Sequence, residues 1–243
     1  MNKIPKIINY CWFGGNKKSK LIEKCIKSWK KYCPDYEIVE WNESNFDINI
    51  NKYVKEAYEN KKWAFVSDFV RLYVVYQNGG IYLDTDVELI KKLDDLLEYD
   101  LFLASENNVL INTGLGFGAS KGNETIKKLI DSYNNITFVN QKTKELDLTP
   151  CTDRNTDTLN EIYGDVSKIL GKKLNNNVIL LSKEYFCPFN AITGEMKKTK
   201  NTYGIHWFNA SWRSRNVNFR EKMLRPIKRL IGEENFKKLK RKK

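Results

Sequence analysis

The sequence of 243 residues is poor in several features that identify common classes of protein. Its single histidine, His206, argues against a histidine-rich metal hydrolase. It contains no P-loop, no GxGxxG motif and no serine, histidine and acid set with suitable spacing. No apolar run approaches the roughly 20 residues that span a bilayer. The chemistry must therefore be sought in other residues.

Cysteine is also scarce. The five cysteines are scattered, odd in number and never arranged as CxxC, which is typical of reduced thiols rather than of a disulfide framework. The stretch from Met1 to Gly15 has charges and glycines where a signal peptide needs an apolar block. We therefore expect a cytoplasmic protein.

The net charge of +12 is distributed unevenly. From Arg213 to Lys243 the chain has 13 lysines and arginines against 3 acids, which leaves a charge of only +2 for the rest. A basic nucleic-acid-binding module remains an alternative, but it predicts a basic body with exposed aromatic side chains. The near-neutral body argues against nucleic acid as the partner.

Segments with strand-like and helix-like periodicity alternate along the chain, which predicts an α/β fold with a mainly parallel sheet. At 41% hydrophobic residues, the chain can bury a sizeable core. The predicted strands are 6–11, 36–41, 101–105, 115–119, 178–181 and 203–207, together with a short apolar strand that follows Gly79-Gly80. The predicted helices are 21–32, 52–60, 63–77, 123–133 and 156–170.

Two aspartates after the Gly79-Gly80 pair are the most informative feature. If the strand continues through them, Asp84 and Asp86 project to the same face, since successive strand side chains alternate. Two hard oxygen ligands can share a divalent cation, whose open positions are usually completed by substrate phosphates. The pattern therefore indicates an enzyme that handles a nucleotide diphosphate.

Three motifs in order carry a resemblance to a known family. Ile4–Ile8 leading to Cys11-Trp12-Phe13-Gly14-Gly15, then Phe65–Arg71, then Gly79–Asp86 resemble glycosyltransferase family 32. The resemblance implies a single GT-A domain over residues 1–212, followed by a basic helical tail over 213–243. It also implies a hexosyltransferase with Mn2+ (or Mg2+) as cofactor, a nucleotide-sugar donor, most simply a UDP-sugar, and retention of anomeric configuration. The acceptor would be a glycan or a lipid-linked oligosaccharide, as in capsular polysaccharide synthesis.

The resemblance also assigns a cation site. Asp86 is expected to bind the metal directly, and Asp84 to reach it through water or to contact the ribose. His206 aligns with a C-terminal segment that returns to the active site, which makes it either a third metal ligand or a structural histidine.

A donor-binding wall follows from the same motifs. Asp68 and Arg71, three residues apart on a helix, are either a surface ion pair or contacts to donor sugar and phosphate, with Ser67 and Tyr82 beside them. Trp12, on the turn after the first strand, is either core or a stacking face for the base.

The remaining candidates lie later in the chain. Asn112 fits the acceptor side of the donor sugar, and Asp157 is placed at a helix start near the anomeric carbon. Trp207, Ser211 and Trp212 are expected to close over the donor phosphate as a lid. Relatives often have histidine where this chain has Asn9, a position expected to orient base or ribose.

The basic tail has apolar residues at helical spacing, from Phe219 to Ile231, with lysines and arginines between them. Such a helix either lies on an anionic membrane surface, at the inner face of the membrane, or packs on the catalytic body. A nucleotidyltransferase remains the second enzyme class, since it also uses carboxylate-held metal.

Overall fold

The computed structural model describes residues 3–209, 224–226 and 228–230. Within these ranges the chain alternates between strands and helices, as its periodicity predicts. The strands are β1 (Ile7–Cys11), β2 (Glu37–Trp41), β3 (Gly80–Tyr82), β4 (Val87–Leu89), β5 (Leu101–Ala104), β6 (Phe117–Ala119), β7 (Lys173–Leu174), β8 (Val178–Leu181) and β9 (Gly204–His206). The α-helices are α1 (Lys20–Tyr32), α2 (Lys52–Glu59), α3 (Trp63–Asn78), α4 (Glu124–Asp131) and α5 (Cys151–Tyr163).

Seven strands form the central sheet in the order β2-β1-β3-β6-β5-β8-β7. Strands β6 and β7 run antiparallel to their neighbours, and the other five share one direction. The predicted α/β class with a mainly parallel sheet is confirmed. Because the shared direction brings the carboxyl ends of β1, β3, β5 and β8 to one edge, the loops that follow them converge there.

Helices cover both faces of the sheet, and each strand alternates between them. Leu101 and Leu103 of β5 join the core beneath α2, α3, α4 and α5, whereas Phe102 and Ala104 join the core beneath α1. The two buried cores hold the sheet between layers of helices, and this fixes the edge at which the loops meet.

The junction between α3 and β3 depends on two glycines. Gly79 ends the helix with a φ of 72°, and Gly80 follows with a φ of 98°. A Cβ on Gly80 would lie 2.8 Å from the backbone oxygen of Ile7. Only glycine adopts these angles at such close approach without strain, so the pair positions β3 directly against β1.

The predicted elements differ from the structure in three respects. The fifth helix spans Cys151–Tyr163 rather than 156–170, because Pro150 precedes its first turn and Gly164, with a φ of 77°, ends it. Strands β4 and β7, of three and two residues, are too short to show periodicity. The third difference concerns the aspartates: β3 stops at Tyr82, and Asp84 and Asp86 lie in the connection to β4.

No helix among the described residues combines the length and apolar composition needed to cross a bilayer. Most of the tail predicted from Arg213 onward lies outside the described residues. Where it is described, Leu224, Arg225 and Pro226 are helical, as are Lys228, Arg229 and Leu230. The proposed boundary between residues 212 and 213 stays a prediction.

Candidate functional site

Asp84 and Asp86 converge although they do not share a strand. The backbone N–H of Asp84 donates to Gly114 at 3.0 Å, and the N–H of Val87 donates back to the carbonyl of Asp84 at 3.0 Å, which closes a tight turn. One oxygen from each aspartate and one ring nitrogen of His206 lie within 4.8 Å of one another. Two carboxylates and an imidazole are suitable ligands for Mn2+.

The histidine reaches this turn through a second, two-stranded sheet. Strand β9 pairs antiparallel with β4, and His206 lies opposite Val87. Its Nε2 is 3.1 Å from Oδ1 of Asp86, and the side chain is nearly buried. Among the described residues no group lies within hydrogen-bond distance of its buried Nδ1. Two carboxylate oxygens and a ring nitrogen this close together fit a bound cation, and the buried Nδ1 is left unpaired within the described ranges.

Asp86 also holds the segment that follows β9. The backbone N–H of Asn209 donates to Oδ2 of Asp86 at 2.7 Å, and the N–H of Trp207 donates to its carbonyl at 3.0 Å. Burial alone would raise the pKa of Asp86, but His206 and the Asn209 N–H outweigh it and hold the pKa below its usual value. Asp86 is therefore favoured in its charged form.

Asp84 is surrounded differently. Its Oδ1 lies 3.2 Å from Nη2 of Arg71 and accepts a hydrogen bond from the hydroxyl of Tyr82 at 3.0 Å. Burial raises the pKa of Asp84, while the Arg71 guanidinium opposes the shift. The pKa values of the two aspartates thus move in opposite directions because only Asp86 has the histidine directly against it.

Arg71 and Asp68 form a buried pair rather than a surface pair. Their side chains are 4% and 11% exposed, and Nη2 of Arg71 lies 3.0 Å from Oδ1 of Asp68. Nε of Arg71 donates to the carbonyl of Ser67 at 3.0 Å, which fixes the guanidinium across the end of β3. A pair this deep needs complete hydrogen bonding to be tolerated, so the arrangement is specific.

The charges around this pair do not balance. Asp68, Asp84 and Asp86 place three carboxyl groups around Arg71 and His206, whose pKa Asp86 raises, so the acidic groups still outnumber the basic ones. Low-dielectric surroundings make an uncompensated charge of this size expensive. A divalent cation at the Asp84, Asp86 and His206 cluster would neutralise the remainder.

The turn after β5 forms the opposite wall. Asn112 donates from Nδ2 to Oε2 of Glu106 at 2.7 Å and accepts at Oδ1 from the N–H of Gly114 at 2.7 Å. A Cβ on Gly114 would lie 2.2 Å from Oδ2 of Asp84. Glycine is required there for space, because the backbone packs directly on the carboxylate. Gly114 and Glu106 were missed, although Asn112 pointed to this turn.

Helix α5 directs Asn155 and Thr156, rather than the predicted Asp157, towards the interior of the protein. Asp157 lies in mid-helix and is exposed, on the face away from the core, which contradicts its placement at a helix start. The inward face carries Asn155, whose Nδ2 donates to Oγ1 of Thr113 at 3.1 Å, and Thr156, whose hydroxyl accepts from the N–H of Ile111 at 2.9 Å. A prediction that started the helix directly after Pro150 would have identified Asn155 and Thr156 as residues of its buried face.

The remaining donor candidates lie around this edge. Trp12 follows β1, half-buried, and its Nε1 donates to Asn16 at 2.7 Å. The hydroxyl of Ser67 donates to the carbonyl of Trp63 at 2.9 Å, one turn earlier in α3. Trp207 donates from Nε1 to Glu88 at 2.9 Å. Ser211 and Trp212 lie outside the described residues, so the predicted lid stays a prediction.

Asn9 has a structural role instead of the predicted contact to base or ribose. It is fully buried within β1, and its Nδ2 donates to the carbonyls of Gly79 and Ile81 at 3.3 and 3.4 Å. Its Oδ1 accepts from Nε1 of Trp41 at 2.9 Å. All its hydrogen-bonding groups thus join β1 to the neighbouring chain segments.

Comparison with known proteins supports the class indicated by fold and site. Residues 19–103 match the family described as the glycosyltransferase sugar-binding region containing the DXD motif. The PaToxG glycosyltransferase superimposes with a TM-score of 0.52 at 20% identity, covering 66% of this chain and 70% of that chain. The fold is of the GT-A type, and the chain is similar to DXD-containing glycosyltransferases over the matched residues.

Two curated relatives come from yeasts. Inositol phosphoceramide mannosyltransferase 3 of Schizosaccharomyces pombe is 28% identical over 147 residues, which is 56% of this chain and 38% of that protein. Mannosyl phosphorylinositol ceramide synthase SUR1 of Saccharomyces cerevisiae is 30% identical over 112 residues, 41% of this chain and 27% of that protein. The chain thus spans well under half the length of these relatives.

Proposed function

We propose that the protein is a divalent-cation-dependent glycosyltransferase that moves a hexose from a nucleotide sugar to a glycan or lipid-linked acceptor. The convergence of Asp84, Asp86 and His206 beside an excess of negative charge carries this proposal. Asp84, Asp86 and His206 would hold Mn2+ or Mg2+, which would supply positive charge where negative charge develops on the departing diphosphate.

The residues around the cluster have separate tasks in this scheme. Arg71 holds Asp84 and Asp68 in fixed positions, since one nitrogen contacts both carboxylates. Asp68 then offers its remaining acceptor capacity to sugar hydroxyls, and Asn112 lies on the opposite wall. Trp12 supplies an aromatic face for the base. The UDP-sugar donor and the retention of configuration are proposed from the family resemblance alone.

The acceptor and the donor sugar remain open to experiment. Both yeast relatives carry mannosyl transfer and inositol phosphoceramide in their names, which favours a lipid-linked acceptor and adds GDP-mannose to the donors to be tested. A lipid acceptor also fits the proposal that the basic tail works at the inner face of the membrane.

The decisive experiment is a thermal-shift panel of UDP- and GDP-sugars with and without Mn2+. We expect one nucleotide sugar to raise the melting temperature only in the presence of Mn2+, and Asp86→Asn to remove the shift. Equal shifts for wild type and variant would contradict the cation assignment.

A nucleotidyltransferase is distinguished by its products. A glycosyltransferase incubated with its donor and water as acceptor releases free sugar and nucleoside diphosphate, whereas a nucleotidyltransferase exchanges pyrophosphate into a nucleoside triphosphate. Chromatography of the nucleotide products therefore separates the two classes. Pyrophosphate exchange without sugar release would overturn the proposal.

A further inference from the structure

Helix α1 exposes a row of lysines along one side. Lys20, Lys24, Lys27 and Lys31 are spaced four, three and four residues apart, so at 3.6 residues per turn they form one narrow stripe. Trp29, Ile22 and Cys25 are buried on the opposite side of the helix. We call these four lysines the lysine stripe. At 1.5 Å per residue it is about 16 Å long.

The stripe is poorly compensated within the protein. Lys24 pairs with Glu88 at 2.7 Å, but among the described residues no carboxylate forms an ion pair with Lys20, Lys27 or Lys31. Lysines four residues apart repel each other and weaken a helix. Within the described part of the chain, Lys31 has only the ring of Tyr32, whose centre is 5.1 Å from its Nζ, so the stripe gains little inside the molecule to offset this repulsion.

Other surface helices of the protein do not share this pattern. Helix α5 exposes Asp153, Asp157 and Glu161, and α4 exposes both Glu124 and Lys128. The body is near neutral in total charge, yet among these three helices only α1 exposes a row of lysines along one side. This difference was invisible to a sum over the sequence.

A chain of contacts connects the stripe to the basic tail. Nζ of Lys24 lies 5.5 Å from the ring centre of Trp207, whose ring centre is 5.4 Å from that of Phe189. The guanidinium of Arg225 covers Phe189 at 5.1 Å, and its Nε donates to Ala191 at 3.0 Å. The described part of the tail is therefore docked on the side of the molecule to which α1 belongs.

We infer that the lysine stripe and the docked tail form one contact surface for an anionic lipid bilayer. Lysine stems are long enough to place their ammonium groups among headgroup phosphates. Leu230 in the docked tail is 87% exposed and offers an apolar side chain to the same bilayer.

Nucleic acid fits this surface less well. A stripe along a convex helix offers no groove for a strand. Among the described residues, the large apolar side chains on the surface are Ile50, Val109, Leu148 and Leu230, without an aromatic ring for stacking on bases. Charge and shape together therefore favour a bilayer.

The test is co-sedimentation of the full chain with vesicles of phosphatidylcholine and phosphatidylglycerol, and with phosphatidylcholine alone. The variant combines Lys20→Gln, Lys27→Gln and Lys31→Gln. A matched variant combines Lys55→Gln, Lys62→Gln and Lys128→Gln, three exposed lysines outside α1. Each lysine near an anionic surface strengthens binding roughly fivefold, so we expect the stripe variant to bind on the order of 100-fold more weakly.

Each outcome decides the inference. The inference is supported if the stripe variant binds anionic vesicles more weakly than both the wild type and the matched variant. No protein should then bind vesicles of phosphatidylcholine alone. Equal weakening in both variants would show that binding depends only on net charge, which would overturn the inference. Unchanged binding of the stripe variant would also overturn it. A short DNA duplex of equal charge could release the protein from vesicles, and the stripe variant could lose duplex binding to the same extent. These two results together would identify nucleic acid, rather than a bilayer, as the partner of this surface.

The surface goes beyond the proposed sugar transfer and can fail independently of it. Vesicle binding needs neither cation nor donor, and the substituted lysines are outside the candidate site. Melting temperature and Mn2+-dependent donor binding should match the wild type in both triple variants, which shows that the fold is intact.

Discussion

The cluster around Asp84 and the lysine stripe of α1 are both rich in charge of one sign, but their surroundings differ. The acids of the cluster are held by Arg71, Tyr82, His206 and backbone N–H groups. Three of the four lysines have no carboxylate partner among the described residues. The difference indicates that the site is organised before any ligand arrives, whereas the stripe depends on an external anion.

The buried cluster and the lysine stripe differ in their energetic cost. A buried charge without partners costs several kcal/mol, so the carboxylates of the cluster need the partners that hold them. Exposed lysines keep their hydration, and their repulsion costs only a few tenths of a kcal/mol per pair. The two regions therefore predict very different responses to substitution.

The largest effect is expected at the aspartates. Asp86→Asn and Asp84→Asn should each reduce sugar transfer on the order of 1,000-fold, because charge on the leaving diphosphate is no longer compensated through the cation. Donor turnover at saturating Mn2+ measures this. Asp157→Asn is the matched control on the exposed face of α5, and its turnover should equal that of the wild type. A comparable loss there would restore the catalytic role predicted from the sequence.

Arg71→Met tests the stability side of the comparison. Removing the guanidinium leaves Asp68 and Asp84 without their cation in a buried setting, so we expect a loss of about 3–5 kcal/mol in the free energy of unfolding. Urea denaturation provides the value. Lys27→Gln, measured in parallel, should change it by less than about 0.5 kcal/mol. Similar losses in the free energy of unfolding for both variants would contradict the proposed difference between the buried cluster and the lysine stripe.

His206→Ala should weaken binding of Mn2+ by at least about 10-fold in the presence of the nucleoside diphosphate. Calorimetric titration with the metal gives this affinity without any turnover. The variant also frees Oδ1 of Asp86 from its neighbour at 3.1 Å, so the melting temperature must be recorded in EDTA to separate folding from binding. An unchanged affinity for the metal would leave His206 as a structural histidine.

Trp12→Ala carries the smallest expected effect. Loss of a stacking face costs about 1–3 kcal/mol per base, so affinity for the nucleoside diphosphate should fall while Trp12→Phe retains most of it. Fluorescence titration with UDP and with inorganic pyrophosphate separates base from phosphate contacts. Parallel losses for both ligands would assign Trp12 to the core.

The sequence predicted the fold well where periodicity is long and poorly where elements are short. Helix α3 was placed within a residue, because its apolar pattern is continuous and Gly79 marks its end. Helix α5 was predicted to start at residue 156 but begins at Cys151, directly after Pro150, and this error placed Asp157 at a helix start. A three-residue strand such as β4 has too few alternations to be recognised.

The sequence identified the residues of the candidate site better than their spatial arrangement. Asp84, Asp86 and His206 do meet, yet they meet across a turn and a separate β4–β9 pair rather than on one strand face. Gly114 escaped notice because its role is to leave room beside a carboxylate, which no pattern in a single sequence displays. Asn9 was assigned to ligand contact because its partners, Gly79 and Trp41, come from segments far along the chain.

The hydrogen bond from Asn209 to Asp86 spans 123 residues of chain, and this has a consequence for synthesis on the ribosome. At roughly 5–20 residues per second, Asp86 emerges on the order of 6–25 seconds before Asn209. During that interval β1, β2 and β3 can pair, but the acidic turn is still without His206. The three-ligand cation site proposed here would therefore be complete only once the nascent chain has brought β9 back to β4.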